Sequence, residues 1–239
     1  MKKQIALASI ALSGLFSATQ ASAEMQWSTF SLSYLYGTEY EFTPNGKMQV
    51  MTVEHASGHS WGDNFFFIDR TMPKDGDASF YGELSPRLSF NKLTDSTFSL
   101  GPIKDVLFAS TWEMGDGFNN YLYGVGVDIT VPGFQYFNVN VYQVNNDISA
   151  NDEQLTITWG APFSIGSQDF LIDGFMDWSS ASETNKSEMN LTPQIKWNAG
   201  KNLGFSSPLY VGIEYAYWNN KYGTDVDERV ASLLVKWHF

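Results

Sequence analysis

The sequence predicts an all-β chain: a transmembrane antiparallel up-and-down β-barrel of about twelve strands. Three observations predict it. Segments of about ten residues alternate apolar and polar side chains between clusters of turn residues, the weak period-two signal of a membrane strand. Aromatics make up 16% of the chain, yet mean hydropathy is only −0.22, as expected where lipid-facing and interior-facing residues alternate. The last nine residues, "ASLLVKWHF", set Ala231, Leu233, Val235, Trp237 and Phe239 against Ser232, Leu234, Lys236 and His238. In a soluble protein such an apolar edge strand invites aggregation, and closure against the first strand removes the edge.

The elements follow in order. "MKKQIALASIALSGLFSATQASA" carries two lysines, an apolar run over 5–16 and Ala21-Ser22-Ala23, the three regions of a secretory signal peptide. The apolar run is too short to span a bilayer, which takes about 20 residues. Residues 1–23 are therefore expected to be cleaved and residues 24–239 to form one outer-membrane barrel domain. "STFSLSYLY" puts Phe30, Leu32, Tyr34 and Tyr36 on one face. "FYGELSPRLSF" sets Tyr81, Glu83, Ser85, Arg87 and Ser89 against Phe80, Leu84, Leu88 and Phe90. "NYLYGVGVDI" sets Asn120, Gly124, Gly126 and Asp128 against Tyr121, Tyr123, Val125, Val127 and Ile129. "EQLTITWGA", "SEMNLTPQIKWN" and "LYVGIEYAYW" alternate in the same way. Less regular segments over 47–56, 62–70, 105–114, 134–144 and 168–179, with 226–239, complete an even set of twelve, as a closed barrel requires. Connections such as "GTEYEFTPNG" and "NNKYGTDVDE" are polar and acidic, whereas "HASGHSW", "TVPGF" and "APFSIGS" are richer in Gly, Pro and aromatics. The long "NKLTDSTFSLGPIK" breaks the pattern of short turns on that side. Trp27, Tyr36, Phe90, Trp112, Trp178, Trp197, Tyr217 and Trp237 recur near strand ends, as in the aromatic girdles of the two membrane interfaces.

Composition excludes several classes. The net charge of −12 becomes −14 without Lys2 and Lys3, which argues against nucleic acid as a partner, since phosphate binding needs clustered Lys and Arg. The chain has no cysteine, so neither a disulfide framework nor a thiolate zinc site is available. His55 and His59 read as residues of a Gly/Ser-rich turn rather than as a metal pair. "TDVDE" over 224–228 lacks the glycine and spacing of a calcium loop. No cofactor and no metal are expected. Neither G-x-S-x-G nor a P-loop is present.

At "FYGELSPRLSFNKLTDSTFSLGPIKDVLFAS" (80–110) the sequence resembles the Tsx family of outer-membrane nucleoside channels, which includes the OmpK-type proteins. The resembling residues are Glu83, Pro86-Arg87, Ser89, Lys92-Leu93-Thr94, Leu100-Gly101-Pro102 and Lys104. Weaker similarity extends to "YLYGVGVDI", "NVNVYQ" and "GFMDW". The resemblance covers the central third of the chain and reaches the rest through strand pattern. It implies a twelve-stranded monomeric barrel whose narrow pore passes nucleosides and deoxynucleosides. It also implies outer loops that serve as phage or colicin receptors.

A nucleoside pore needs aromatic faces for bases and short polar groups for ribose hydroxyls, bound weakly enough to be released. The polar faces supply Tyr81, Glu83, Arg87, Asn120, Asp128, Asn138, Asn140, Tyr142, Asp173, Asp177, Lys196 and Glu214 as pore-lining candidates. Glu83 with Arg87 reads either as an electrostatic constriction or as part of an interior salt-bridge network. Two other readings stand beside the channel: a structural or receptor barrel without an open pore, and a lipid-hydrolysing barrel enzyme using His59-Ser60 or His238 with Ser232. The expected partners are the outer-membrane bilayer, a small solute such as a nucleoside, and the barrel-assembly machinery, which reads a terminal aromatic such as Phe239.

Overall fold

The computed structural model describes residues 24–239; the expected signal peptide, residues 1–23, lies outside the described residues. Twelve strands follow one another: β1 (Met25–Gly37), β2 (Met48–His59), β3 (Gly62–Pro73), β4 (Ser79–Ser89), β5 (Ile103–Gly115) and β6 (Phe118–Ile129), then β7 (Tyr136–Asn145), β8 (Asp152–Ile165), β9 (Gln168–Ser179), β10 (Glu188–Asn198), β11 (Leu209–Asn219) and β12 (Glu228–His238). Each pairs antiparallel with its sequence neighbours, and β1 pairs with β12 to close the barrel. Closure satisfies the backbone groups that lipid cannot and leaves no free edge. The seam register places Leu35 opposite Leu234 and Ser33 opposite Lys236. Glu24 and Phe239 lie at one end, here called the base; the other end is the mouth.

The pleat separates two chemistries. Along β1, Phe30, Leu32, Tyr34 and Tyr36 are exposed on the outside, while Ser31, Ser33 and Leu35 are buried inside. Along β12, Leu233, Val235 and Trp237 face out while Val230, Ser232, Leu234 and Lys236 are buried. Apart from Lys104 at the Ile103–Asp105 bulge, the ionic side chains on outward strand registers are Arg70, Glu153 and Arg229, all close to the mouth ends of their strands. A charge on the lipid face costs about 2–4 kcal/mol at mid-membrane for Lys or Arg but about 0–1 kcal/mol near an interface. The outer surface is thus an uncharged band with ionic groups only at its edges.

Several expectations need correction here. "HASGHSW" is not a turn: β2 runs to His59, and only Ser60 and Trp61 connect it to β3. His55 and His59 therefore sit on a strand, where a four-residue interval spans about 13 Å and cannot chelate one ion. The His55 ring packs on Phe30 and the His59 ring stacks on Trp61. Trp27 leaves the girdle. It pairs with Gly58 on an inward register, and a side chain at Gly58 would collide with its indole. "APFSIGS" is likewise mostly strand, with Gly166 and Ser167 alone turning the chain.

The long base connection over 90–102 has its own structure. Ser89 caps the short helix α1 (Phe90–Thr94) by accepting a 3.0 Å bond from the Lys92 N–H, as a serine N-cap does. The Lys92 ammonium then donates to the His59 and Gly62 carbonyls at 2.7 and 3.2 Å, tying α1 to the β2–β3 turn. A second short helix, α2 (Ala199–Leu203), joins β10 to β11.

Candidate functional site

All twelve sequence-predicted residues fall on inward registers, but their groupings differ from expectation. Arg87 does not pair with Glu83. Its guanidinium donates from Nε and Nη2 to both oxygens of Asp63 at 2.8 and 2.7 Å, and from Nη1 to Asp128 at 3.0 Å. The physical reason is strand geometry. Glu83 is four residues along the same strand, about 13 Å away, whereas Asp63 is the directly opposed residue on β3. This node lies toward the base and is one-tenth exposed at Arg87.

A second group crosses the seam, running from β9 through β10, β11, β12, β1 and β2 to β3. The Lys196 ammonium, with a fully buried side chain, donates to Asp173 at 2.6 Å and to the Gln194 side-chain Oε1 at 2.7 Å. Gln194 in turn donates to Glu214 at 2.7 Å. Lys236 pairs with Glu54, whose carboxylate also accepts from Ser31 at 3.1 Å. Asp69 accepts from Thr52 at 2.5 Å. Lys196 and Lys236 are thus each matched by a carboxylate, and the neighbouring Asp69 and Glu214 are held by neutral donors.

The third group is acidic. Glu83 on β4 stands directly opposite Glu113 on β5, and Glu113 opposite Asn120 on β6. Their partners are neutral. Tyr81 donates to Glu83 at 2.7 Å, Asn120 to Glu113 at 2.9 Å, and Thr156 to Asp177 at 2.6 Å. Like charges directly opposed on a ladder disfavour folding unless something else holds them, and here the tyrosine, asparagine and threonine donors do so.

Beside the acids runs a line of aromatic rings on inward registers: Phe65 and Phe67 of β3, Tyr81 of β4 and Phe118 of β6. Successive centroids are 5.9, 5.7 and 6.3 Å apart. Gly115 makes the last step possible. A Cβ there would lie 2.3 Å from the Phe118 ring, so only glycine lets that ring cross β5 to reach Tyr81. Phe65 faces inward yet is 38% exposed, which means water reaches the interior beside it.

The remaining predicted residues line β6 and β7. Asn138 donates to Thr158 at 3.4 Å. Asn140 and Tyr142 are buried opposite Gly126 and Gly124. A Cβ at Gly126 would sit 2.4 Å from Asn140 Oδ1 and one at Gly124 would lie 1.9 Å from the Val141 carbonyl oxygen, so in "GVG" the first glycine admits the β7 backbone and the second the Asn140 side chain.

At the mouth, the connection over 38–47 folds inward. Tyr40 Oη lies 2.8 Å from Ser232 Oγ, and the Glu41 N–H donates to Glu228 at 2.9 Å. Glu228 is buried and accepts from Lys221 at 2.6 Å. The Lys221 ammonium also sits 4.5 Å from the Trp218 ring, and Phe42 packs on Tyr222. "TDVDE" is spent on contacts within the protein, with Asp225 paired to Lys186 and Asp227 near Arg229. Neither predicted serine–histidine pair is assembled: His59 Nε2 lies 2.9 Å from Ser57 Oγ instead, and Ser60 Oγ accepts from the Glu24 N–H at 3.3 Å. Ser232 is engaged by Tyr40, whereas His238 lies six residues further along β12 against Thr29 at 3.2 Å.

Sequence reasoning missed Glu54, Asp63, Asp69, Glu113, Phe65, Phe67 and Phe118. All but Phe118 lie on the irregular strands β2, β3 and β5. Counting inward registers back from the Ser60–Trp61 turn would have placed those of β2 and β3.

A closed antiparallel barrel with an uncharged outer band and an ionic, aromatic-lined interior is an outer-membrane β-barrel, and the comparisons with known proteins agree. The family model for the nucleoside-specific channel-forming protein Tsx matches residues 22–237. The chain belongs to the Tsx family, a channel-forming and not an enzymatic one. It is 31% identical to the outer membrane protein OmpK of Vibrio parahaemolyticus serotype O3:K6 (strain RIMD 2210633) over 106 residues, 40% of each chain. It is 25% identical to the nucleoside-specific channel-forming protein Tsx of Klebsiella aerogenes, over 92% of this chain and 85% of the relative. The chain covers less than two thirds of the OmpK relatives it matches. The solved KdgM porin has the same architecture, with a TM-score of 0.53 over 87% of this chain and 99% of that one, at 8% identity.

Proposed function

We propose that the protein is a passive outer-membrane channel for small polar solutes, with nucleosides as its principal cargo. The mouth faces outward, and residues 1–23 direct export and are removed. The observation that carries this reading is the line of rings from Phe65 through Phe67 and Tyr81 to Phe118, flanked by Glu83, Glu113, Asn120 and Asp177. Rings stack on any nucleobase, at about 1–3 kcal/mol per base. The carboxylates accept from ribose hydroxyls. Several shallow sites in series, each weak, satisfy the requirement that a conducted solute be both bound and released. The Arg87 pair lies on the same strands but nearer the base, below Phe65, whereas the Lys196 and Lys236 pairs occupy other sectors of the wall.

The deciding experiment is single-channel recording in planar bilayers, with and without added nucleosides. Ohmic pores whose current falls on adding uridine or adenosine, but not ribose alone, support the reading. Pores indifferent to nucleosides overturn the cargo. The second reading, a barrel without an open pore, is favoured by the buried ion pairs inside the wall, and an absence of conductance would select it.

A further inference from the structure

The outer wall near the mouth carries a groove of about 320 Å³ lined by Tyr36, Lys47, Met48, Gln49, Met72 and Lys74. It lies across the mouth ends of β1, β2 and β3. The Lys74 N–H donates to the Lys47 carbonyl at 2.9 Å, which fixes the two lysines on adjacent strand ends. Arg70 shares the outward register of Met72 and is exposed three residues before β3 ends. These three cations differ from most others in the chain. Arg87, Lys186, Lys196, Lys201, Lys221, Arg229 and Lys236 each hold a carboxylate. Lys47, Arg70 and Lys74 hold none among the described residues. Asp75, next to Lys74, is taken by the Asn45 amide at 2.5 Å, and Asp69, next to Arg70, faces inward and accepts from Thr52.

We infer that this groove binds the phosphorylated sugar head of an outer-leaflet glycolipid, a lipid A type molecule, with phosphate between Lys47 and Lys74. Charge complementarity is the first argument. An exposed arginine below two lysines, on a lipid-facing wall whose few other ionic groups lie on other strands, in a chain with net charge −12, calls for an anion supplied by the membrane itself. The second argument is the floor. Tyr36 and Met72, both on outward registers, offer an apolar surface beside the cations, and methionine adapts to irregular apolar shapes. A phosphate flanked by acyl chains has both characters; a free phosphate has one. Depth is the third. At about 3.4 Å per residue, Arg70 lies about 10 Å below the strand end, where a headgroup phosphate and the first acyl carbons meet. The inference rests on the proposal that the mouth faces outward.

The test is native mass spectrometry of the detergent-solubilised protein titrated with bis-phosphorylated lipid A, its dephosphorylated form, and phosphatidylglycerol. One lipid A should be retained per barrel, with binding at least tenfold weaker for the other two. Each basic residue near a membrane surface contributes about a fivefold factor, so Lys47→Ala with Lys74→Ala should weaken lipid A binding by about 25-fold. Lys201→Ala, at the base, should leave it unchanged. Equal retention of the dephosphorylated lipid, or no loss in the double variant, overturns the site. Equal retention of phosphatidylglycerol overturns the glycolipid assignment. Orientation is read separately by labelling whole cells that carry Asp77→Cys, an exposed position, with an impermeant maleimide. Labelling supports an outward mouth, and its absence overturns the outer-leaflet assignment whatever the detergent assay shows.

Discussion

Tyr40 Oη lies 2.8 Å from Ser232 Oγ, so a loop that leaves β1 at the mouth turns back inside the barrel and meets the inner wall of β12. The loop is held there a second time, because the Glu41 N–H and the Lys221 ammonium both donate to the buried Glu228. Two strands adjacent at the seam, β1 and β12, are thus bridged again above it. The loop narrows the mouth, and the Lys221–Glu228 pair is its anchor.

Removing one charge of that anchor should release the loop. Glu228→Gln leaves the Lys221 ammonium in a buried site without its carboxylate, and such orphaned charges cost about 3–5 kcal/mol. The expected outcome is faster proteolytic cleavage within residues 38–47 and a larger single-channel conductance, with the barrel still formed. Unchanged cleavage and conductance together would show that the loop is held by other contacts.

The Tyr40 phenol gives the same loop a pH dependence. Burial pushes its pKa up to about 12 from the usual 10.0. A raised folded-state pKa contributes stability that is complete below about pH 10 and lost as pH rises through about 12. Conductance should therefore step upward in that alkaline window. In Tyr40→Phe the step should vanish, since no proton remains to be lost there.

The Arg87 node predicts a stability effect and a selectivity effect together. Arg87→Ala leaves Asp63 and Asp128 unpaired inside the wall, and should lower barrel stability by about 3–5 kcal/mol, measured as the urea midpoint of the heat-modifiable gel shift. The same change adds two uncompensated carboxylates to the interior, so the cation preference of the pore should rise. Combining Arg87→Met with Asp63→Asn and Asp128→Asn should recover much of the stability. If Arg87→Ala alters neither quantity, the node is outside the permeation path and structurally dispensable.

What was legible in the sequence is set by where alternation is clean. On β1, β4, β6 and β12 the period-two pattern fixes both faces, which is why Tyr81, Glu83, Arg87, Asn120 and Asp128 were all placed inward. On β2 the pattern fails because Ser57 and Gly58 look like turn residues. Gly58 is in fact a strand residue kept small by the Trp27 ring above it. On β3 three consecutive phenylalanines hide the alternation that sends Phe65 and Phe67 in and Phe66 out. Partners were the least legible feature. The sequence sets Arg87 beside Glu83, its neighbour along the strand, but in a sheet the short distances run across strands. Asp63, twenty-four residues earlier, can be found only once the β3–β4 register is known. The family block over 80–110 was recognisable for a related reason. It contains the arginine of that node, the Ser89 cap and the Lys92 tether, all polar residues with specific partners.

The aromatic line yields the sharpest test of cargo. Tyr81→Ala removes the central ring and separates Phe67 from Phe118. Base stacking is worth about 1–3 kcal/mol per ring, so nucleoside block of the current should need about tenfold more nucleoside. Gly115→Ala should give a similar loss without removing any ring, because the new methyl would fall 2.3 Å from the Phe118 ring and push it off Tyr81. Phe66→Ala, on the outer face of the same strand as Phe67, should leave the block unchanged. The comparison separates stacking from general damage to the wall. Loss in the first two variants with retention in the third supports a stacked base, whereas equal effects in all three would mean that the rings act only as packing.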